Sequence, residues 1–402
     1  MHALKRLIKK GVRIASPESV EIGKDVDPDR ISGDRVTIHS GCRIFGADTF
    51  IAAGAELGAE APATIENCSI GPGVALKGGY FKKAVFLENA SCGLGAHVRK
   101  GTIMEERSSI AHTVGLKQTI LFPFVTLGSL INFCDCLMAG GTSRKNHSEV
   151  GSSYIHFNFT PNQDKATASL IGDVPNGVML DQHPIFLGGQ GGIIGPCRLA
   201  FGTVVAAGTL IRKDELRPDR MLFGGAMRPG NTAFAMGKYT GVKRILQNNV
   251  LYIANLLALE QWYTSVRGLF VGAEFPVPLH QSLVHNIRCA IDERVSRFEV
   301  FCRQFAASEG HPDIDAWWPE LADQYRAATV PGDDRNQRDT FLEQVQIAAV
   351  PRDRDYLKTI QSLDRSARSG GSAWLQGIVD GTCRASARII PFLETTATET
   401  GR

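Results

Sequence analysis

The run Ser143-Arg144-Lys145-Asn146-His147 sets an imidazole directly after two cations and an amide. A histidine with its ordinary pKa of about 6.5 can take the proton from an attacking amine or hydroxyl at neutral pH, work worth roughly 10²–10⁴-fold in rate. His147 is therefore the first candidate general base. His156 lies in the polar-aromatic stretch around Tyr154, Phe157 and Asn158, and His183 follows Asp181-Gln182 and precedes Pro184. A core place suits the first of these better, and a loop place the second. Asn158 both donates and accepts, so it can orient a hydroxyl or an amine. Arg144 and Lys165 can hold a phosphate or carboxylate, each charge-assisted bond contributing about 1.5–3 kcal/mol. Lys145, Asn146 and Tyr154 complete the candidate substrate-binding set. Beside each stands a plainer reading: an ordinary histidine, a solvated charge, a packed tyrosine.

Other chemistries fit less well. Nine cysteines are spread singly except for Cys134 and Cys136, with no C-x-x-C pair, which argues against a disulfide framework and a cysteine-based zinc site and for a reduced, cytoplasmic chain. His97, His112 and His147 lack the local spacing of a three-histidine zinc centre, so no metal is expected. The run Phe186–Gly192 is glycine-rich but lacks the Gly-Lys-Ser/Thr ending of a phosphate loop. A net charge of +3 on 402 residues is too small to make nucleic acid the main partner. No run approaches the ~18 apolar residues of a membrane span; Val250–Leu259 is short and broken by Asn255. The basic start, residues 1–13, has no apolar core or cleavage site of a signal peptide and reads as a solvated leader.

Two kinds of element must position these residues. Residues 1–241 hold 33 of the 42 glycines, and all four tryptophans lie beyond them. In the first part, apolar residues recur every six. From Phe86 the series runs Cys92, Val98, Met104, Ile110, Leu116, Phe122, Gly128, Cys134 and Gly140; a second runs Leu187, Ile193, Leu199, Val205, Ile211. Thirteen of these fifteen are apolar, against about six expected from a 43% apolar composition. Shorter pieces, Ile38, Ile44, Phe50 and then Ile70, Leu76, keep the period. The reading is a hexapeptide-repeat β-helix over residues 14–237, each hexad one short strand and one turn, three hexads one triangular coil. Residues 238–402 read as a mainly α-helical domain. Apolar stripes at three and four run Val242 to Leu257 and Val284 to Phe305, with Pro276 and Pro278 between them. Shorter helices are expected around 314–325, 341–348 and 356–363, and a loop over 330–338.

Segment 128–214 resembles the acetyltransferase domain of the bifunctional N-acetylglucosamine-1-phosphate uridylyltransferase/glucosamine-1-phosphate acetyltransferase family. Asn132-Phe133-Cys134-Asp135 is similar to the family's Asn-Phe-Val-Glu strand, and Ser143–His147 to its basic loop ending in the catalytic histidine. His156-Phe157-Asn158-Phe159, Lys165 and Ile171-Gly172-Asp173 follow in order. Val205-Ala206-Ala207-Gly208-Thr209, with Arg212-Lys213-Asp214, is similar to its acetyl-CoA-side coil. The resemblance implies a left-handed parallel β-helix, a homotrimer with sites between subunits, an acyl-CoA (acetyl-CoA) donor, a sugar-phosphate or amino-sugar acceptor, and a part in nucleotide-sugar metabolism. It implies that His147 is the base, that pantetheine lies along Ala206, Ala207 and Gly208, and that Arg212 and Lys213 meet CoA phosphates. Uridylyl transfer is not expected, because no glycine-rich sugar-nucleotide loop stands near the start. Three departures from the pattern motivate a second reading, a non-catalytic β-helix scaffold. His147 and Asn158 are only eleven residues apart, about two hexads closer than in the family. Leu137 lies near the place of a family lysine, and Val150 stands for a tyrosine.

Overall fold

The computed structural model describes residues 2–224, 230–231, 233–234, 237–239, 241–309, 314–327, 329–390 and 393. Its front part is the expected parallel β-helix. Short parallel strands stack into a three-sided prism of about eleven coils. One face carries the strands 13–14 through 221–222; the other two are joined where strands Gly115–Leu121 and Asn132–Met138 run around a corner without a break. In chain order each coil visits face one (for example 109–110), face two (115–117) and face three (119–121).

The inward column is apolar because one coil alone buries nothing, whereas stacked coils bury a continuous core. Register gives Ile38, Leu57, Leu76, Cys92, Ile110, Leu127, Val150, Leu187 and Val205 up face one, all buried. The six-residue series from Phe86 to Leu116 and from Leu187 to Ile211 falls on these inward positions. Between them it slips. Met104 pairs with Leu121, and Leu121 with Met138, so those coils are seventeen residues long. Leu121, Leu127, Phe133 and Met138 point inward, rather than Phe122, Gly128, Cys134 and Gly140; likewise Ile51 replaces Phe50. The lost residue lies at the corner between faces two and three, where a single left-handed residue turns the chain: Lys83, Gln118 and Asp135, with φ between 50° and 62°. None is glycine, at a cost of about 1–2 kcal/mol each that the stacked coils hold in place.

The ends and one face are covered. Residues 2–10 form helix α1 (His2–Lys10) rather than a solvated leader. Leu7 is fully buried, Lys10 Nζ donates to the carbonyls of Pro28, Asp29 and Ile31, and Arg6 pairs with Asp29, so α1 seals the first coil. Face three reads apolar on both sides (Ala84-Val85-Phe86, Thr102-Ile103-Met104, Thr119-Ile120-Leu121), as expected of strands buried on both faces. A one-turn helix, α2 (Val174–Gly177), lies within the coils, and the helical region follows: α3 (Val242–Gln261), α4 (Val277–Glu309), α5 (Trp318–Arg326), α6 (Arg335–Ala349), α7 (Tyr356–Ser362) and α8 (Arg365–Ile389). Helix α4 packs across strands 69–70, 84–86 and 102–104, and α3 reaches 169–171. Pro278 falls in the first turn of α4, where its missing N–H costs nothing.

A buried polar lock joins the two parts. Arg267 pairs with Glu106 and lies 3.7 Å over the Tyr356 ring, while Tyr263 donates to Glu105 at 2.5 Å. Burial and the neighbouring Glu106 charge push the Glu105 carboxyl up to about 8, against the opposing effects of Arg267 and the Tyr263 hydroxyl.

Candidate active site

His147 ends a small antiparallel hairpin, Gly141–Ser143 with Asn146–His147, that bulges from the corner between faces three and one. Ser148 then re-enters the prism, its hydroxyl donating to Ala139 O and accepting from Ile185 N. The imidazole is 18% exposed. Its Nε2 stands 3.9 Å from the Glu149 carboxylate, and its buried Nδ1 has no hydrogen-bond partner among the described residues. This is a histidine beside a carboxylate at the lip of a corner, with one ring nitrogen buried and unpartnered among the described residues.

The hairpin's other residues hold it in place. Arg144 Nη1 donates to the carbonyls of Arg107 and Phe124 and to Thr126 Oγ1, at 2.8–3.0 Å. That clamps the hairpin to the two coils beneath, so this nitrogen of Arg144 is already committed. Asn146 Nδ2 donates to Thr142 Oγ1, and Lys145 is exposed. Helix α7 reaches the same hairpin through Gln361 Nε2, which donates to Thr142 O at 2.5 Å.

The remaining sequence-expected residues lie elsewhere. Asn158, Lys165, Arg212 and Lys213 follow face-two strands and sit on the edge between faces two and three. Ala206, Ala207 and Gly208 turn the chain between faces one and two, with open space beside Gly208. Tyr154 is fully buried in the prism, its ring edge-on to Phe133 at 6.1 Å, which makes it a core residue and not a contact for substrate. The structure thus brings Arg144, Lys145, Asn146 and His147 together and distributes the others over two further edges of the same chain.

Sequence reasoning missed a second cluster on the edge between faces two and three. Asp135 accepts from Asn158 Nδ2 at 2.6 Å and pairs with Arg294 of α4 at 2.7 Å. Around the neighbouring Cys134 thiol stand Arg99, Lys117 and Lys165, whose charges all act on it, although burial dominates and pushes that thiol up. Burial pulls the Lys117 ammonium below its ordinary range, with Lys100 and Lys165 adding to the effect. Arg99 stacks over Lys117 and Cys134 because of strand register, a relation across some thirty-five residues that no local motif signals. None of these three cations forms an ion pair among the described residues, so together they offer unneutralised positive charge to an anion.

His156 is structural. Its Nδ1–H donates to Cys134 O at 2.5 Å, and its Nε2 accepts from the Ser169 hydroxyl at 2.8 Å, which in turn accepts from Cys197 N. Burial pulls its pKa down to about 4. His183 is exposed and pairs with Asp219 at 2.8 Å. All nine cysteines are free, and among the described residues no group of three His, Cys, Asp or Glu side chains is placed to hold a metal. Among them, too, no helix is long and apolar enough to cross a membrane.

Comparison with known proteins supports the β-helix resemblance. "Bifunctional protein GlmU" of Thermotoga petrophila is 26% identical over 221 residues, covering 53% of this chain and 42% of the relative. The protein of the same name from Kineococcus radiotolerans is 28% identical over 242 residues, covering 57% and 44%. The chain therefore spans under half the length of these relatives. No protein-family model matches. Among solved structures, LpxA from Acinetobacter baumannii aligns over 69% of this chain and 95% of that one, at 14% identity and a TM-score of 0.20, too weak a likeness to argue from. The chain resembles hexapeptide-repeat acyltransferases over its β-helix, with a helical region covering one face.

Proposed function

We propose that this protein is an acyl-CoA-dependent acyltransferase, acetyl-CoA being the expected donor, acting on an amino sugar or sugar phosphate. The observation that carries the reading is the His147 hairpin, a half-buried imidazole beside Glu149 on a β-helix related in sequence to GlmU proteins. In the proposed reaction, His147 removes the proton from the acceptor's amine or hydroxyl as that atom attacks the thioester carbonyl. The C–S bond then breaks, and the CoA thiolate leaves and takes up a proton. Arg99, Lys117 and Lys165 would hold the acceptor's phosphate, and Ala206, Ala207 and Gly208 would give pantetheine a smooth track.

These groups lie on different edges of one prism, so a complete site needs edges from neighbouring chains. A homotrimer supplies that arrangement, and faces one and two are the ones left bare for it. Phe186, Val204 and Met221 form an exposed apolar row up three coils of face one. The test is release of free thiol from acetyl-CoA with a panel of amino-sugar phosphates, by wild type and His147→Ala. Turnover that falls at least a hundredfold in the variant supports the reading. Undiminished turnover would remove His147 from it while leaving the enzyme class.

The second reading, a β-helix scaffold without activity, is favoured by the burial of Tyr154 and by the commitment of Arg144 Nη1 to backbone carbonyls. Absence of both CoA binding and thiol release with every acceptor would select it.

A further inference from the structure

A cleft of about 540 Å³ runs between helix α4 and the left-handed corner residues joining faces two and three, within the size range of small-molecule sites and at a junction of two structural parts where such sites concentrate. It is walled on one side by Lys83, Gly101 and Gln118, and on the other by Gln281, His285 and Cys289 of α4. It needs no second chain, and it is set apart from the His147 hairpin, which leaves a different edge of the prism.

Two features mark it as built for a ligand. Gln118 is 5% exposed, and its side-chain Oε1 is buried with no hydrogen-bond partner among the described residues. A buried acceptor left unsatisfied costs about 1–3 kcal/mol, so an occupant that donates a hydroxyl proton to it would recover that. The amide is also held in its pose: it lies flat over Gly101, where a Cβ would collide with it. Lys83 lines the same cleft and, unlike Lys100, which pairs with Glu293 at 3.0 Å, makes no ion pair among the described residues. Lys83 and Arg30, neither in an ion pair among the described residues, with the Gln118 and Gln281 amides match a small molecule with one anionic group and several hydroxyls.

We propose that this cleft binds a phosphorylated sugar or polyol, its phosphate on Lys83 and a hydroxyl on the Gln118 amide, as a site apart from the His147 hairpin and along the same edge as the Arg99, Lys117 and Lys165 cluster. The cleft carries its own reporter. Cys289 is exposed at the lining, 3.4 Å from His285, whereas seven of the other cysteines are buried.

The experiment measures iodoacetamide alkylation of Cys289 by peptide mass spectrometry on the full chain, titrated with glucose 6-phosphate, glucuronate, glucose and inorganic phosphate. Glucose 6-phosphate should slow alkylation at least fivefold and saturably. Lys83→Met and Gln118→Leu should each weaken that protection at least tenfold, with His147→Ala leaving it unchanged. Protection by glucuronate alone would replace phosphate with carboxylate and overturn the phosphate assignment. No protection by any of the four in the wild type, or protection unaltered in Lys83→Met, would overturn the site. A thermal scan of each variant separates a lost ligand from a lost fold, and because the readout is alkylation rather than thiol release from CoA, its failure leaves the acyltransferase reading untouched.

Discussion

Arg294 of helix α4 and Asp135 at a left-handed corner of the β-helix meet at 2.7 Å with both side chains 4% exposed. Two charges are thereby removed from water at the seam between the coils and the helices. Asn158 adds a bond to the same carboxylate, which compensates part of its desolvation.

Removing one partner of such a pair leaves the other buried and unpaired, which costs about 3–5 kcal/mol. Arg294→Met should therefore lower the stability measured by urea unfolding by about that amount. Arg294→Met with Asp135→Leu should recover part of the loss, because no lone charge remains. If the single and double variants are equally destabilised, the pair's electrostatics are not what joins the seam.

The Glu105 carboxyl makes the second joint sensitive to pH. Its folded pKa of about 8 lies above its ordinary 4.5, so between those values the folded chain holds a proton that the unfolded chain has released. Its contribution is intact below about pH 4.5 and is lost progressively as pH rises to about 8. Glu105→Gln keeps a neutral group in place at every pH. The stability difference between Glu105→Gln and wild type should widen in the variant's favour from pH 4.5 to 8 and level off above. A difference independent of pH would show that Glu105 ionises normally in the folded chain.

His156 gives the opposite slope. Both ring nitrogens are bonded in the neutral form, and burial holds the folded pKa near 4, below the ordinary 6.5. The unfolded chain takes up a proton first as pH falls, so this group's stabilisation is full above about 6.5 and lost between there and about 4. The His156 ring proton shifts, followed by NMR in the folded chain, should stay on the neutral values down to about pH 5. Titration near 6.5 would mean the ring is open to solvent.

How much of this was legible depended on whether the signal was local. Inward residues such as Val98, Ile110 and Leu199 announce themselves, because a coil's interior admits only apolar groups at a fixed step. The shortened corners at Gln118 and Asp135 do not: a left-handed glutamine or aspartate has no sequence mark, so the six-residue frame drifted one place beyond Leu116. Helix α8 was missed because Gly370, Gly371, Gly377 and Gly381 lower its propensity. In the fold, Gly371 lets Phe341 and Met179 press against its backbone, and Gly381 admits Gly332, so tertiary packing outweighs propensity. The start of α6 at Arg335, inside the expected loop, rests on the Asp334 side chain capping Asn336 N and Gln337 N. His147 was found from its neighbours in sequence, whereas Arg99 and Lys117 became candidates only through strand register.

The base assignment makes the most direct prediction. His147 stands on a hairpin outside the apolar column, and its ring makes no hydrogen bond within 3.5 Å among the described residues, so His147→Ala should leave the stability measured by urea unfolding within about 0.5 kcal/mol of wild type. Loss of general-base catalysis should lower thiol release roughly 10²–10⁴-fold at neutral pH. A His147→Ala variant that loses stability along with rate would return the histidine to a structural part.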